Sequence, residues 1–307
     1  MIIQIAIVIS LNTMEKITKE PTPLGNLFEN TTLLDVYNNQ LNYKIEIDEK
    51  SDSDLCVVYF ASNGIYVQNT EEEFKRVIID KNRFEWSNNR VKDAKKHIFL
   101  RDIFKATYVN GINKDINNMH KIIEFLREET KGYRFITLGS SSGGYAALVT
   151  GVVLKAEYIF SFSGQVSIYH SIIQHPMDFN RENPFHKHLN DSEYTQYYNI
   201  LPEMMNECNI PVFYFSSNQK IDVTQKKLVE CNDNFLIFDM DSEDHRLPVY
   251  VFNFTHIINK NKYDLIQLAY KYYNRKITRY EFSVELCGFW QTIKLLYKQW
   301  KRKHSKK

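Results

Sequence analysis

Little in this 307-residue chain points to metal, redox or nucleotide chemistry. Its four cysteines, Cys56, Cys208, Cys231 and Cys287, are scattered, with no C-x-x-C pair and no zinc-ligand spacing. Cys56 lies in an apolar run and reads as a reduced core residue, so a reducing, cytoplasmic compartment is expected. No glycine-rich dinucleotide or phosphate loop is present, and no bound cofactor is expected. Long hydrophobic runs are missing as well. Met1–Leu11 is apolar but too short to span a bilayer, and it lacks a basic leader and a clear small-residue cleavage site. It reads either as an extra strand or as an upstream extension if Met14 is the natural start. Strong net charge is also absent, and +2 argues against a general nucleic-acid binder. That charge is uneven: taking the six cations Lys298, Lys301, Arg302, Lys303, Lys306 and Lys307 from +2 leaves the rest at −4.

What is present is an ordinary globular balance, 43% hydrophobic and 14% aromatic, in a chain long enough for one large α/β domain. The most informative stretch is Tyr133–Leu148. A short apolar strand, Phe135–Leu138, runs into a glycine-serine corner and then into an apolar segment with helical spacing. Within the corner Gly139, Ser141 and Gly143 form G-x-S-x-G, the pattern of a nucleophile elbow. Small residues let such a turn close, and the following helix aims its N-terminal N–H groups at a developing oxyanion. The frame selects Ser141 over Ser140 and Ser142.

Around the elbow the chain alternates strand and helix. Leu55–Ala61, His97–Asp102, Tyr158–Gly164, Pro211–Ser216 and Phe235–Phe238 read as strands, the first buried on both faces. Ile112–Leu126 and Thr224–Cys231 read as helices. This order predicts a mostly parallel central sheet with right-handed crossovers, an α/β fold. Residues 1–54 read as an N-terminal extension with a hairpin, Leu33–Tyr37 and Leu41–Ile47 turning on Asn38-Asn39. Residues 55–260 read as the catalytic domain, and the aromatic-rich stretch 165–209 reads as a small cap. Residues 261–307 read as helices with a basic tail. There the stripe Phe289, Ile293, Leu296 and Trp300 leaves two readings open: a helix packed on the domain, or a basic amphipathic anchor at an anionic membrane.

A serine hydroxyl needs a general base, and a histidine base needs a carboxylate to hold its tautomer. Asp222 follows the strand Val212–Ser216, and His245 follows the strand Phe235–Phe238. Asp241, Glu243 and Asp244 compete as acids by proximity to His245. The oxyanion hole is expected from the Ser142 N–H and a donor in the turn Ala61–Gly64, Ser62 or Asn63. His170, His175, His186 and His188 lie in the cap without an acid or cysteine at ligand spacing, so no metal is expected.

The chain order Ser141, Asp222, His245 resembles the α/β-hydrolase fold over about residues 55–260. The resemblance implies the parallel sheet, the cap and acyl transfer through an acyl-enzyme, and it is what favours Asp222 over the nearer acids. Many esterases and lipases carry His-Gly where this chain has Ser62-Asn63. The elbow Leu138–Leu148 further resembles α/β-hydrolase-fold proteins of bacterial surface-polysaccharide loci, some similar to capsule O-acetyltransferases. That likeness implies acetyl-CoA as co-substrate, a glycan acceptor and a location at the inner membrane face. Two functions stay open: a serine esterase or O-acyltransferase acting on a small acyl ester or glycan, and a non-catalytic hydrolase-fold accessory in polysaccharide assembly or secretion.

Overall fold

Alternation within Leu55–Phe60 sends Cys56, Val58 and Phe60 to one side of a sheet and Val57 and Tyr59 to the other, and all five are buried. That strand is the spine of the computed structural model, which describes residues 22–168, 188, 190–198 and 209–304. Eight strands form one sheet: β1 (Tyr43–Ile47), β2 (Leu55–Phe60), β3 (Lys96–Leu100), β4 (Arg134–Ser140), β5 (Ile159–Phe162), β6 (Val212–Ser216), β7 (Phe235–Asp241) and β8 (Lys276–Thr278). Their spatial order is β1-β3-β2-β4-β5-β6-β7-β8, and only β1 runs antiparallel to its neighbour. The chain steps from β2 outward to β3 and then back across β2 to β4. This reversal leaves a crevice at the carboxyl ends of β2 and β4, the place where open α/β sheets hold their ligands.

The helices follow in chain order: α1 (Thr31–Asn39), α2 (Met119–Glu129), α3 (Ser142–Val153), α4 (Lys220–Lys227), α5 (Asn253–Ile258), α6 (Lys262–Lys271), α7 (Arg279–Cys287) and α8 (Phe289–His304). One sheet face is covered by Ile122, Ile123 and Leu126 of α2 and by Ala146, Leu148 and Val149 of α3. The other packs a row of aromatic rings, Phe160, Phe162, Phe213, Phe215 and Phe238, under Phe254, Leu265, Leu268 and Phe282. Cys56 packs in the first core, where burial pushes its thiol up to about 12 and keeps it protonated at neutral pH.

The N-terminal hairpin is not formed. Leu33–Tyr37 lies inside α1, because Asn30 caps that helix by accepting from Leu33 N at 3.0 Å and the i, i+3 pair Leu33 and Val36 faces a third small core. Only the second arm is a strand, and it pairs with β3. The helix expected from Ile112 begins at Met119, where Asn118 accepts from Lys121 N at 2.8 Å. Ile112 sits earlier, in a loop closed by its N–H bond to the Ile116 carbonyl at 2.8 Å. Most of the cap at 165–209, with His170, His175 and His186, lies outside the described residues, as does Met1–Leu11. His188 is described, and its ring stacks on Tyr194 with centroids 3.8 Å apart.

Candidate active site

The strand–corner–helix reading of Tyr133–Leu148 corresponds to β4, Ser141 and α3. Ser141 has φ 52° and ψ −119°, a strained conformation for a residue with a Cβ. Its N–H donates to the Phe162 carbonyl at 2.8 Å, and its own carbonyl accepts from Tyr145 N at 3.1 Å. The turn is held on both sides while the hydroxyl stands free of the sheet. Two glycines make the corner possible. A Cβ on Gly139 would lie 2.1 Å from the Gly143 carbonyl oxygen, and one on Gly143 would lie 2.4 Å from the Phe60 carbonyl oxygen. Both obstacles are main chain. Gly139→Ala should therefore cost about 3 kcal/mol or more in a urea melt, since the elbow must open to admit the methyl group. A variant as stable as the parent would contradict this packing.

Ser141, Asp222 and His245 meet. Ser141 Oγ is 2.9 Å from His245 Nε2, and His245 Nδ1 is 2.6 Å from Asp222 Oδ1. The histidine reaches the serine from the loop after β7, 104 residues further along the chain. Asp222 lies in the first turn of α4, which begins at Lys220, four residues before the start expected at Thr224, and helix N–H groups there favour a carboxylate. Its second oxygen accepts from the Ser217 hydroxyl and from Ser217 N at 3.3 Å. The side chain of Asp222 is 2% exposed and that of His245 is 27% exposed, so the acid is sealed while the base meets the cavity. The competing acids point elsewhere. Asp241 accepts from Asn218 Nδ2 at 2.8 Å, and Asp244 lies 3.6 Å from Arg279 and 3.7 Å from Arg246.

The acid and base loops are tied together. Asn218 N donates to the Ser242 carbonyl at 2.7 Å, and Gln219 Nε2 donates to the Glu243 carbonyl at 2.6 Å. Arg279, which opens α7, donates to the carbonyls of Leu247 and Pro248 just beyond His245. Nothing in the linear order signals this contribution, because Arg279 lies 34 positions after the histidine and in no motif.

At the expected oxyanion hole the Ser142 N–H opens α3 and has no carbonyl partner within the helix. The turn after β2 is engaged differently. Asn63 N donates to Ser142 Oγ at 2.9 Å, while Ser62 N and Ser62 Oγ both donate to the Glu85 carboxylate, the latter at 3.0 Å. Nothing in the linear order marks Glu85, a lone acid between the aromatics Phe84 and Trp86 and in no motif. Burial pushes its carboxyl above the ordinary range, against the opposing hydrogen bonds from Ser62. Behind the turn, Tyr108 Oη donates to the Ala61 carbonyl at 2.8 Å. Asp102 holds the Tyr108 loop by accepting from the N–H groups of Phe104, Ala106 and Tyr108.

A cavity of about 660 Å³ opens over Ser141 and His245, lined also by Asn63, Tyr66, Arg83, Glu85, Trp86 and Arg246. Its size and mixed lining suit a small organic ligand.

No family model matches the chain, and no curated protein matches it. Solved structures do. The capsule O-acetyltransferase of Neisseria meningitidis serogroup A is similar over 72% of this chain and 92% of that one, with TM-score 0.50 and 11% identity. The esterase domain of a Rhodothermus marinus protein matches over 70% and 87%, with TM-score 0.45 and 10% identity. A lipase-esterase related protein from Clostridium acetobutylicum matches over 71% and 97%, with TM-score 0.41 and 15% identity. Identities this low speak to the fold. With its eight-stranded, mostly parallel sheet flanked by helices, the chain has an α/β-hydrolase-like fold and resembles that superfamily.

Proposed function

We propose that this protein is a serine acyl-transfer enzyme working through an acyl-enzyme on Ser141. The observation that carries the reading is the continuous contact from Ser141 Oγ to His245 Nε2 at 2.9 Å and from His245 Nδ1 to Asp222 Oδ1 at 2.6 Å, centred on a residue in strained backbone. In the reaction Ser141 Oγ attacks the carbonyl carbon of an ester or thioester, and Nε2 of His245 takes the hydroxyl proton. Asp222 holds the Nδ1–H and stabilises the imidazolium. Collapse of the tetrahedral intermediate expels the alcohol or thiol, which receives the proton from His245. A second hydroxyl, of water or of an acceptor, then enters by the same steps in reverse.

For the oxyanion, the Ser142 N–H and the Asn63 N–H are the proposed donors. Asn63 now bonds a neutral hydroxyl, and exchanging that partner for an anion strengthens the bond. Ser62 is the poorer donor, because its N–H already serves a carboxylate. Glu85 is then a positioning residue that fixes the turn. Glu85→Gln should keep the fold and alter kcat by less than about tenfold, whereas Glu85→Ala should cost about 1–3 kcal/mol by leaving the Ser62 donors unpaired. The native state holds the Glu85 proton to higher pH than the unfolded chain does. Its contribution to stability is therefore complete below the unfolded pKa and is lost as pH rises through the raised one. Thermal melts across that range should show a flatter pH dependence in Glu85→Gln; identical slopes would refute the assignment.

Water as acceptor would make the enzyme an esterase, and a glycan hydroxyl would make it an O-acyltransferase with acetyl-CoA as the donor. Arg83 and Arg246 beside the cavity support an anionic donor such as a coenzyme thioester. The test is fluorophosphonate labelling of the purified protein with peptide mapping. Label on Ser141 that disappears in His245→Ala supports the reading, after which release of free thiol from acetyl-CoA, with and without glycans, separates transfer from hydrolysis. Absence of label on folded protein would favour the non-catalytic accessory role.

A further inference from the structure

The last helix divides into three faces. At about 100° per residue, Thr292, Leu295, Leu296 and Gln299 share one side of α8. This is the buried or half-buried side, and Thr292 Oγ meets Ser283 Oγ of α7 at 3.1 Å there. A second arc of roughly 100° holds Phe289, Trp290, Ile293, Tyr297 and Trp300. All five are large, apolar and open to solvent, Trp290 at 82% and Tyr297 at 62% exposed. The rings are ordered along the helix, Phe289 against Trp290 and Tyr297 stacked on Trp300. Next to the aromatic arc lies a third, carrying Lys294, Lys298 and Lys301. No Asp or Glu occurs anywhere in α8.

Burial of the aromatic arc would remove a substantial apolar area from water, so its exposure calls for a partner. We propose that this face docks on an anionic lipid bilayer, lying in the interfacial plane. Three features favour that partner. Trp and Tyr are the side chains best suited to the headgroup region, with an apolar body and a polar edge. The adjoining lysines would meet the negative surface potential, while a helix free of acids meets no repulsion there. A second copy of this chain is a poorer fit, because an antiparallel pair of such faces about a twofold axis sets the lysine strips side by side, and a parallel pair leaves both strips without an acidic partner on α8. Among the described residues no helix is long and apolar enough to cross a membrane.

The test uses the full chain and vesicles of phosphatidylcholine alone or with phosphatidylglycerol. Flotation with the anionic vesicles, weakening with added salt, is expected. Tryptophan emission should shift to the blue on binding, and it reports on α8 because Trp86 is only 5% exposed while Trp290 and Trp300 are open. Lys294→Gln, Lys298→Gln and Lys301→Gln combined should weaken vesicle binding about a hundredfold without changing the melting temperature. Equal flotation with neutral vesicles, no flotation, or unchanged binding by the triple variant would overturn the proposal. So would a concentration-dependent dimer dispersed by Trp290→Ala and Trp300→Ala.

Discussion

Ser141→Ala should abolish fluorophosphonate labelling and reduce turnover of an activated ester on the order of 10⁶-fold, with the fold intact. Oγ is the only atom lost. Its removal takes away the nucleophile and the 2.9 Å contact to His245, while the strained backbone at φ 52° stays, because alanine keeps the Cβ responsible for the strain. Ser141→Gly should be equally inactive but more stable, by about 1 kcal/mol, since glycine accepts positive φ. Paired melts of the two variants would separate chemistry from strain. A gain in stability together with total loss of activity is the pattern of a site kept at a cost to the fold. If the alanine variant still takes up label, the serine is another one and the proposed reaction is wrong.

Asp222→Asn should lower kcat on the order of 10⁴-fold while leaving stability nearly unchanged. The reason lies in the partners of the carboxylate. One oxygen accepts two donors from Ser217 and the other accepts from His245 Nδ1. An asparagine must turn its oxygen to the Ser217 donors, which leaves its NH₂ against Nδ1. The imidazole then carries its proton on Nε2, where it cannot accept from Ser141. Geometry would survive in the wrong tautomer, and the loss should appear in kcat far more than in KM. Activity within tenfold of the parent would assign the orienting role to another group, although Asp241 is engaged by Asn218 and Asp244 lies beside Arg279 and Arg246.

The core of the fold was legible because its signals are local. A six-residue apolar run rich in β-branched and aromatic side chains, such as Leu55–Phe60, favours a strand covered on both faces, and Gly139, Ser141 and Gly143 form a corner whose sterics are written in three positions. Errors fell where local signals are short. Leu33–Tyr37 is five residues of mixed character, compatible with either period, and the Asn30 cap and the small core against Leu33 and Val36 decided for helix. Three-residue β8 left no periodicity to read, although the parallel edge of β7 accepts it from Asp239 to Asp241.

The amino-acid sequence alone determined that a serine stands at a strand-to-helix corner in a parallel α/β sheet, with an acid and a histidine after later strands. Tertiary structure decided which acid faces the histidine, that Glu85 holds the Ser62 amide, and that Arg279 braces the loop carrying His245. It also decided which side of α8 is packed and which is left open. Elbows and strands follow from sterics and burial between near neighbours. Hydrogen-bond partners across more than twenty residues depend on where the sheet order sets each loop, and that order is a property of the whole core.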